Sequence, residues 1–485
     1  MKHDRLEKAF ILIRILAMLI GFIPVIMIFP FAAALLLRET KMIFAFAFPM
    51  IIITAFSLAG FFSIYKKKPR LDAKDGFLLV FLTWVLASIA GAIPFYIYGL
   101  DFYSSIFESA CTFATTGGTT IFDIESLPRS LLLWRSIAHW FGGIGIILVS
   151  VALLPILGVG GFQLIKAEET GPEKEKITPK VTATAQLLLL FYSVLTVILF
   201  ALYLLGGMEL FDALCQSLAT MATGGVSIKN QGLAAYNSAF IEAVTTFFML
   251  IASVNFSLYY LLMRGKIRDI MNSTELKVYI AIFLAASVSI TVSLIPVYGS
   301  FSNAFRYASF QSASILSTAG YTTANYEQWT GFAKMMIFCL MFIGGCSGST
   351  AGGIKVIRHA VLWKQIRSEM QNIIYPNGIF NVYINKRVGR KDVVYSVAGF
   401  IFIYFFVMAI VTLITAASGI DLFSSLSASL SIISNIGVGF GVIGPERNYS
   451  VFAPHIKLIF SFVMIAGRLE MWTVFILFTK DYWRK

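Results

Sequence analysis

Residues 101–119 read DFYSSIFESACTFATTGGT, and the way this stretch recurs along the chain decides the architecture. It opens on Asp101, a residue that suits a helix N-terminus, and ends in a Thr/Gly cluster, ATTGGT, at 114–119. Between them lie about 12–14 residues of half-apolar sequence, too short to cross a bilayer as a helix. The layout returns three times at intervals of roughly a hundred residues. Residues 209–220 lead to MATGGV (221–226), 303–317 to LSTAGY (316–321), and 421–434 to ISNIGV (433–438), opening near Glu209, Asn303 and Asp421. Aligned on one glycine, the clusters give Gly117, Gly224, Gly320 and Gly437. Non-helical backbone survives at membrane depth only where protein buries it or where it lines a water-filled cavity. Four such segments entering from one side can converge on one axis, which is the architecture of a pore.

Working outward, long apolar runs flank every cluster. The chain of 485 residues is 58% hydrophobic and 13% charged, with mean hydropathy +0.81, whereas a soluble domain carries about 25% charged residues. Runs such as 77–97, 181–205 and 456–478 each suffice for a spanning helix of roughly 20 residues. The sequence therefore predicts an all-α membrane protein of ten transmembrane helices. An N-terminal pair (near 9–37 and 41–65) precedes four helix–pore loop–helix repeats in pseudo-fourfold arrangement around a central pore. Their spans lie near 76–98 and 130–157, 181–205 and 237–263, 275–298 and 331–354, and 393–418 and 455–479. The corresponding units are 1–70, 71–165, 166–268, 269–370 and 371–485. Residues 10–37 read as a retained helix, because no small-residue cleavage site ends the apolar run.

The formal charge of +13 is not spread as in a nucleic-acid-binding protein. It gathers in alternate connections: Lys66, Lys67, Lys68, Arg70 and Lys74; Arg264, Lys266, Arg268 and Lys277; Lys355, Arg358, Lys364, Arg367, Lys386, Arg387, Arg390 and Lys391; and Lys480, Arg484 and Lys485. The connections 101–128 and 299–330 are poor in basic residues. Cytoplasmic loops carry that excess, which places both termini in the cytoplasm. The sizeable cytoplasmic connections are 163–180 and 355–392. Four cysteines without a C-x-x-C pair (Cys111, Cys215, Cys339, Cys346) read as reduced packing residues.

A dehydrated cation needs oxygens in place of its water, and rings of backbone carbonyls supply them. Glycine lets such a backbone reach positive φ without steric cost. In this reading Thr115, Thr116, Gly117, Thr223, Gly224, Thr318, Ala319, Gly320, Asn435, Ile436 and Gly437 line the path, with the hydroxyls adding ligands. One cluster alone would read as small-residue helix packing; four, each behind a short helix, do not.

A second constellation, GGCSGSTAGGIK at 344–355, follows an apolar span. Gly348 and Gly353 have the gap of a phosphate-binding loop, but Ile354 stands where lysine is required and no strand precedes it. It reads as a flexible linker or, more sharply, as an unwound segment that breaks the helix and lies across the pore below the filter. Arg468 falls near the middle of the last span, where a lone arginine costs roughly 2.5–3.5 kcal/mol on insertion scales and faces a cavity or a partner. A pair with Glu470 is disfavoured, because positions i and i+2 of a helix point apart. Arg468 is expected to face the pore and to help set the closed state. His139 has no ligand partner at useful spacing and reads as packing. Asp101, Glu108, Asp123, Glu125, Glu209, Asp212, Glu327, Asp421 and Glu446 gather on the outer side, where a negative vestibule would concentrate cations.

The fourfold pattern resembles the Trk/Ktr/HKT superfamily of potassium transporters, and within it the bacterial Trk membrane subunit. TAGYT and NIGVG look most like the potassium-channel filter TVGYG; TTGGT and ATGGV lack its aromatic residue, so the strands are not equivalent. The resemblance implies uptake of potassium, and rubidium, across a bacterial inner membrane, with the ion held in the filter. It also implies a gating loop in the third repeat, which makes Gly344, Gly345, Gly348, Gly352, Gly353 and Lys355 gate residues beside Arg468, a homodimer in the lipid bilayer, and a cytosolic nucleotide-binding regulatory ring. No organic cofactor is implied. The competing transport reading is a sodium- or proton-coupled secondary cation transporter, although such carriers typically carry twofold or inverted repeats. An enzyme would need a nucleophile with a base or a metal cluster, and the sequence offers neither.

Overall fold

The computed structural model describes residues 2–62, 73–152, 181–376, 378, 383–385, 387–388 and 391–484. The basic residues Lys66, Lys67, Lys68, Arg70, Lys386 and Arg390 and the connection 163–180 lie outside the described residues. Apart from a two-residue hairpin pairing Tyr383 with Val388, the elements are helical.

Among the described residues six helices are long and apolar enough to cross a membrane: Ala9–Leu36, Thr40–Phe62, Lys74–Tyr98, Ala185–Leu205, Thr274–Tyr298 and Val393–Ala417. Their outward faces carry exposed large apolar side chains, among them Phe22, Phe44, Ile51, Val197, Val292 and Phe402. In water such a surface would be costly; against acyl chains it is the solvent-matched face. Three buried cysteines pack as expected, whereas Cys339 is exposed, on a helix whose apolar neighbours Phe332 and Met335 are exposed as well.

The last four of the long helices are each followed, after a short turn, by a short one lying against it: Lys74–Tyr98 by Phe102–Phe113, Ala185–Leu205 by Leu210–Met221, Thr274–Tyr298 by Phe301–Leu316, and Val393–Ala417 by Leu422–Ile433. Asp101 caps the first, accepting from the Tyr103 and Ser104 amides, and Asp421 caps the fourth through the Ser424 amide at 3.0 Å. Ser424 also holds the Asp421 carboxyl below its ordinary pKa, so the cap stays anionic where the helix dipole favours it. The third short helix begins earlier than Asn303 suggests, at Ser300, and neither Ser300 nor Glu209 makes a side-chain cap bond.

The spans that follow the short helices depart from expectation. Arg129–Ala152 runs unbroken through its described residues. The stretch 237–263 is two helices, Ala239–Ala252 and Phe256–Met263, meeting at 90°. Asn255 makes the break, because its side chain caps the second helix by accepting from the Ser257 amide at 2.9 Å. The stretch 455–479 likewise bends by 114° between Pro454–Arg468 and Met471–Phe478, around Glu470 at φ +66°. In the third repeat helix stops at Leu340 and resumes only at Val356, with 344–355 non-helical as the glycines suggest. Periodicity could not show these breaks, since the residues on either side stay apolar.

Candidate functional site

All four short helices end in the same way. Thr115, Thr223, Thr318 and Asn435 take left-handed φ of 51°, 51°, 56° and 56°. The next amide reaches back to the third-last helical carbonyl: Thr116 to Cys111, Gly224 to Ala219, Ala319 to Ser314 and Ile436 to Ser431, each at 2.9 Å. The left-handed residue's own amide bonds the carbonyl one residue on: Thr112, Thr220, Ile315 and Ile432. These are Schellman caps, built here without glycine at the left-handed position, where a β-branched residue is an outlier.

Two residues later each strand carries a glycine at positive φ: Gly117 (81°), Gly225 (67°), Gly320 (76°) and Gly437 (86°). This corrects the sequence register in the second repeat, where Gly225 and not Gly224 is the equivalent of Gly117. TTGG and TGG offer two glycines each, and only the cap fixes which one turns. A Cβ on Gly224 would instead strike the His139 ring, so His139 packs beneath that strand.

The four glycines touch one another's strands in cyclic order. A Cβ on Gly117 would lie 2.5 Å from the Gly224 carbonyl oxygen; on Gly225 it would meet the Ala319 carbonyl, on Gly320 the Ile436 carbonyl, and on Gly437 the Thr116 carbonyl. Each strand thus abuts the next and the fourth abuts the first. Thr115, Thr116, Thr223, Thr318, Ala319, Asn435 and Ile436 are buried around this ring. The Asn435 side-chain amide donates to the Thr116 hydroxyl and the Met464 carbonyl, both at 3.0 Å, tying the fourth strand to the first.

The Gly-rich segment lies against the helix side of the ring. The Gly352 amide donates to the Thr318 hydroxyl at 2.6 Å, and the Thr223 hydroxyl donates to the Thr350 carbonyl at 2.9 Å. The segment is also pinned to the break in the second repeat: the Cys346 and Thr350 amides bond the Ser253 and Ala252 carbonyls, and the Phe256 amide bonds Gly348. Gly344 and Gly353 pass so closely that a Cβ on either would collide with the other's backbone; Gly345 is crowded by Ala351 and Ser253, and Gly352 by the Ser434 carbonyl. Arg468, buried, donates to the Thr350 carbonyl at 2.6 Å; its Nε and second amino group have no protein partner. Lys355 bonds the Ala351 carbonyl. Glu470 does not pair with Arg468; the helix ends at Arg468, so the i, i+2 spacing does not apply, and past the break Glu470 binds Arg358 at 2.6 Å.

Comparison with known proteins agrees with the overall fold. The TrkH family model, described as a cation transport protein, fits residues 42–298 and 296–485. The chain belongs to the TrkH family of cation transport proteins. It is 36% identical to the Trk system potassium uptake protein TrkH of Escherichia coli K12, over 87% of this chain and 88% of that one. It is 33% identical to the TrkH of Vibrio parahaemolyticus, over 98% and 99%. The crystal structure of the potassium transporter TrkH from Vibrio parahaemolyticus superposes with TM-score 0.90 at 31% identity, covering 98% of this chain and all of that one. Membership places the chain among transport proteins and not enzymes.

Within this TrkH-family chain the acidic residues do not form one vestibule. Glu108 is buried against Arg135. Glu327 accepts from the Gly441 amide, and Asp212 bonds Tyr236 and Lys229. Asp123 and Glu125 hold Asn230 of the second repeat. Of the nine named, Asp101, Asp123, Glu125, Glu209, Asp421 and Glu446 are exposed, and Asp101 and Asp421 are caps. Sequence order cannot separate a buried carboxylate from a solvated one when both lie on a short amphipathic helix or its loop. The sequence reading also missed Gly225, Asn255 and the Arg358–Glu470 pair; a residue pair 112 positions apart leaves no local signal.

Proposed function

We propose that the chain carries potassium, and rubidium, across a bacterial cytoplasmic membrane through a filter of backbone carbonyls from four pore loops in pseudo-fourfold arrangement. The observation that carries this reading is the cyclic approach of Gly117, Gly225, Gly320 and Gly437 to the carbonyls of neighbouring strands. Backbones that close leave an axis ringed by oxygens, which is how a carbonyl filter replaces a hydration shell. The relatives' names, potassium uptake protein and potassium transporter, point to the same ion. The six long helices, the two bent pairs, Arg129–Ala152 and the interrupted stretch 331–354 together make ten transmembrane helices in this reading, with the termini on the basic, cytoplasmic side.

In this reading the segment 344–355 is the gate. It is fastened to Thr223 and Thr318 at the inner end of the filter and clamped by Arg468. Opening needs those bonds to break, and Arg468 adds a positive charge that opposes cation passage while the segment is closed. A homodimer in the lipid bilayer and a cytosolic nucleotide-binding ring complete the proposed assembly, both on family resemblance.

The test is radioactive rubidium uptake into liposomes containing the purified protein, with potassium, sodium and lithium as competitors. The reading predicts strong competition by potassium and little by sodium or lithium. Uptake blind to the competitor's identity would remove the filter from the account.

A further inference from the structure

Behind the first strand lies an ion pair that the filter itself does not require. Arg135, on Arg129–Ala152, approaches Glu108 of the first short helix at 3.4 Å, with the two side chains 2% and 1% exposed. The other carboxylate oxygen of Glu108 gathers three donors: the Thr120 amide at 2.5 Å, the Thr120 hydroxyl at 3.0 Å and the Thr119 hydroxyl at 2.8 Å. Thr119 and Thr120 follow directly on Gly117 and Gly118, so the carboxylate grips the strand where it leaves the ring. Cys111, one turn further along the same helix, donates to the Gly118 carbonyl at 2.8 Å.

At the positions equivalent to Glu108 and Cys111 the other repeats carry no charge. Seven residues before the left-handed cap residue stands Glu108 in the first repeat, but Gln216, Gln311 and Ala428 in the others. The amide equivalent to that of Thr120 is Phe440 in the fourth repeat, and a neutral hydroxyl, Ser427, holds it at 2.7 Å. In the third repeat Ser314 holds the Tyr321 carbonyl at 2.6 Å, the counterpart of Cys111 on Gly118. A neutral hydroxyl therefore suffices, in the fourth repeat, for the amide bond that Glu108 makes in the first. A carboxylate accepts stronger bonds than a neutral oxygen, and a buried charge is costly unless a counter-charge pairs with it. Arg135 supplies that charge.

We propose that Glu108, paired with Arg135, is a positioning residue that fixes the carbonyls of the first filter strand and thereby sets the preference of the ring for potassium over sodium. The inference rests on the potassium-filter reading. Whether cavity size or carbonyl field selects the ion, both depend on where the strand's oxygens are held. Gly117 also abuts the Gly224 carbonyl and the Thr116 carbonyl abuts Gly437, so a slack first strand loosens two of the four contacts.

The experiment measures rubidium uptake in liposomes for the wild type, Glu108→Ala and the isosteric neutral pair Glu108→Gln/Arg135→Gln. The readout is the ratio of sodium to potassium concentrations that halve uptake, with thermal stability in detergent recorded alongside. That ratio should fall by about tenfold in Glu108→Ala, the order expected for losing one charge-assisted hydrogen bond. It should fall less in the neutral pair, which keeps an acceptor for Thr119 and Thr120. An unchanged ratio in the neutral pair overturns the proposal, whatever the yield or stability of Glu108→Ala. A wild type that does not discriminate between the two ions defeats the filter reading itself.

Discussion

Replacing Arg468 with alanine should open the pathway. Its guanidinium donates to the Thr350 carbonyl at 2.6 Å in a site where the arginine is 4% exposed. A hydrogen bond from a charged group contributes about 1.5–3 kcal/mol, which at 1.4 kcal/mol per decade shifts the open-to-closed ratio about 10- to 100-fold. The Thr223 hydroxyl shares the same carbonyl and remains in the variant, so the lower end applies. Initial rubidium uptake into liposomes should therefore rise about tenfold at matched protein content. Two further substitutions separate bond from charge: Arg468→Gln keeps a neutral donor within reach and should give an intermediate rate, while Arg468→Lys keeps the charge but not the guanidinium geometry. The reasoning fails if Arg468→Ala, still monodisperse and as heat-stable as the parent, transports at the parent rate or more slowly.

Three other outcomes follow from the same contacts. Gly320→Ser puts a side chain at φ +76° against the Ile436 carbonyl; the backbone strain alone is about 1–3 kcal/mol, and potassium should lose its advantage over sodium in the competition assay. Gly224→Ala and Gly225→Ala should differ in kind: the first strikes the His139 ring and should be partly rescued by His139→Ala, whereas the second strikes the Ala319 carbonyl and should not. Equal rescue of both, judged by uptake, would return the second strand to the Gly224 register. Glu470→Gln leaves Arg358 over the Phe400 ring at 3.8 Å but without its anion; losing a hydrogen bond between charged groups costs about 1.5–3 kcal/mol, so the unfolding midpoint in detergent should drop, and an unmoved midpoint would show the pair to be dispensable.

The membrane class, the four short helices and the unwinding at 344–355 were legible in the sequence because each rests on local properties. Apolar length, a capping aspartate and clustered glycine act over a few residues, and repetition makes four weak signals into one strong one. The pair of Glu470 with Arg468 that helix spacing disfavoured is absent, but because the helix breaks between them and Glu470 turns to Arg358. Tertiary structure alone decided the rest. The turning glycine of the second strand is Gly225, because the Schellman cap at Thr223 sets the register and two adjacent glycines look alike in a string. The 90° and 114° breaks sit inside apolar runs that read as continuous, since Asn255 and Glu470 act through backbone geometry and not through hydropathy. Glu108 leaves the outer face for a buried site because Arg135, Thr119 and Thr120 together replace its water. Arg468 finds the Thr350 carbonyl across 118 residues of chain. Local chemistry in the sequence therefore determined which segments can turn inside a membrane, and only the packing of distant segments determined which atoms they turn towards.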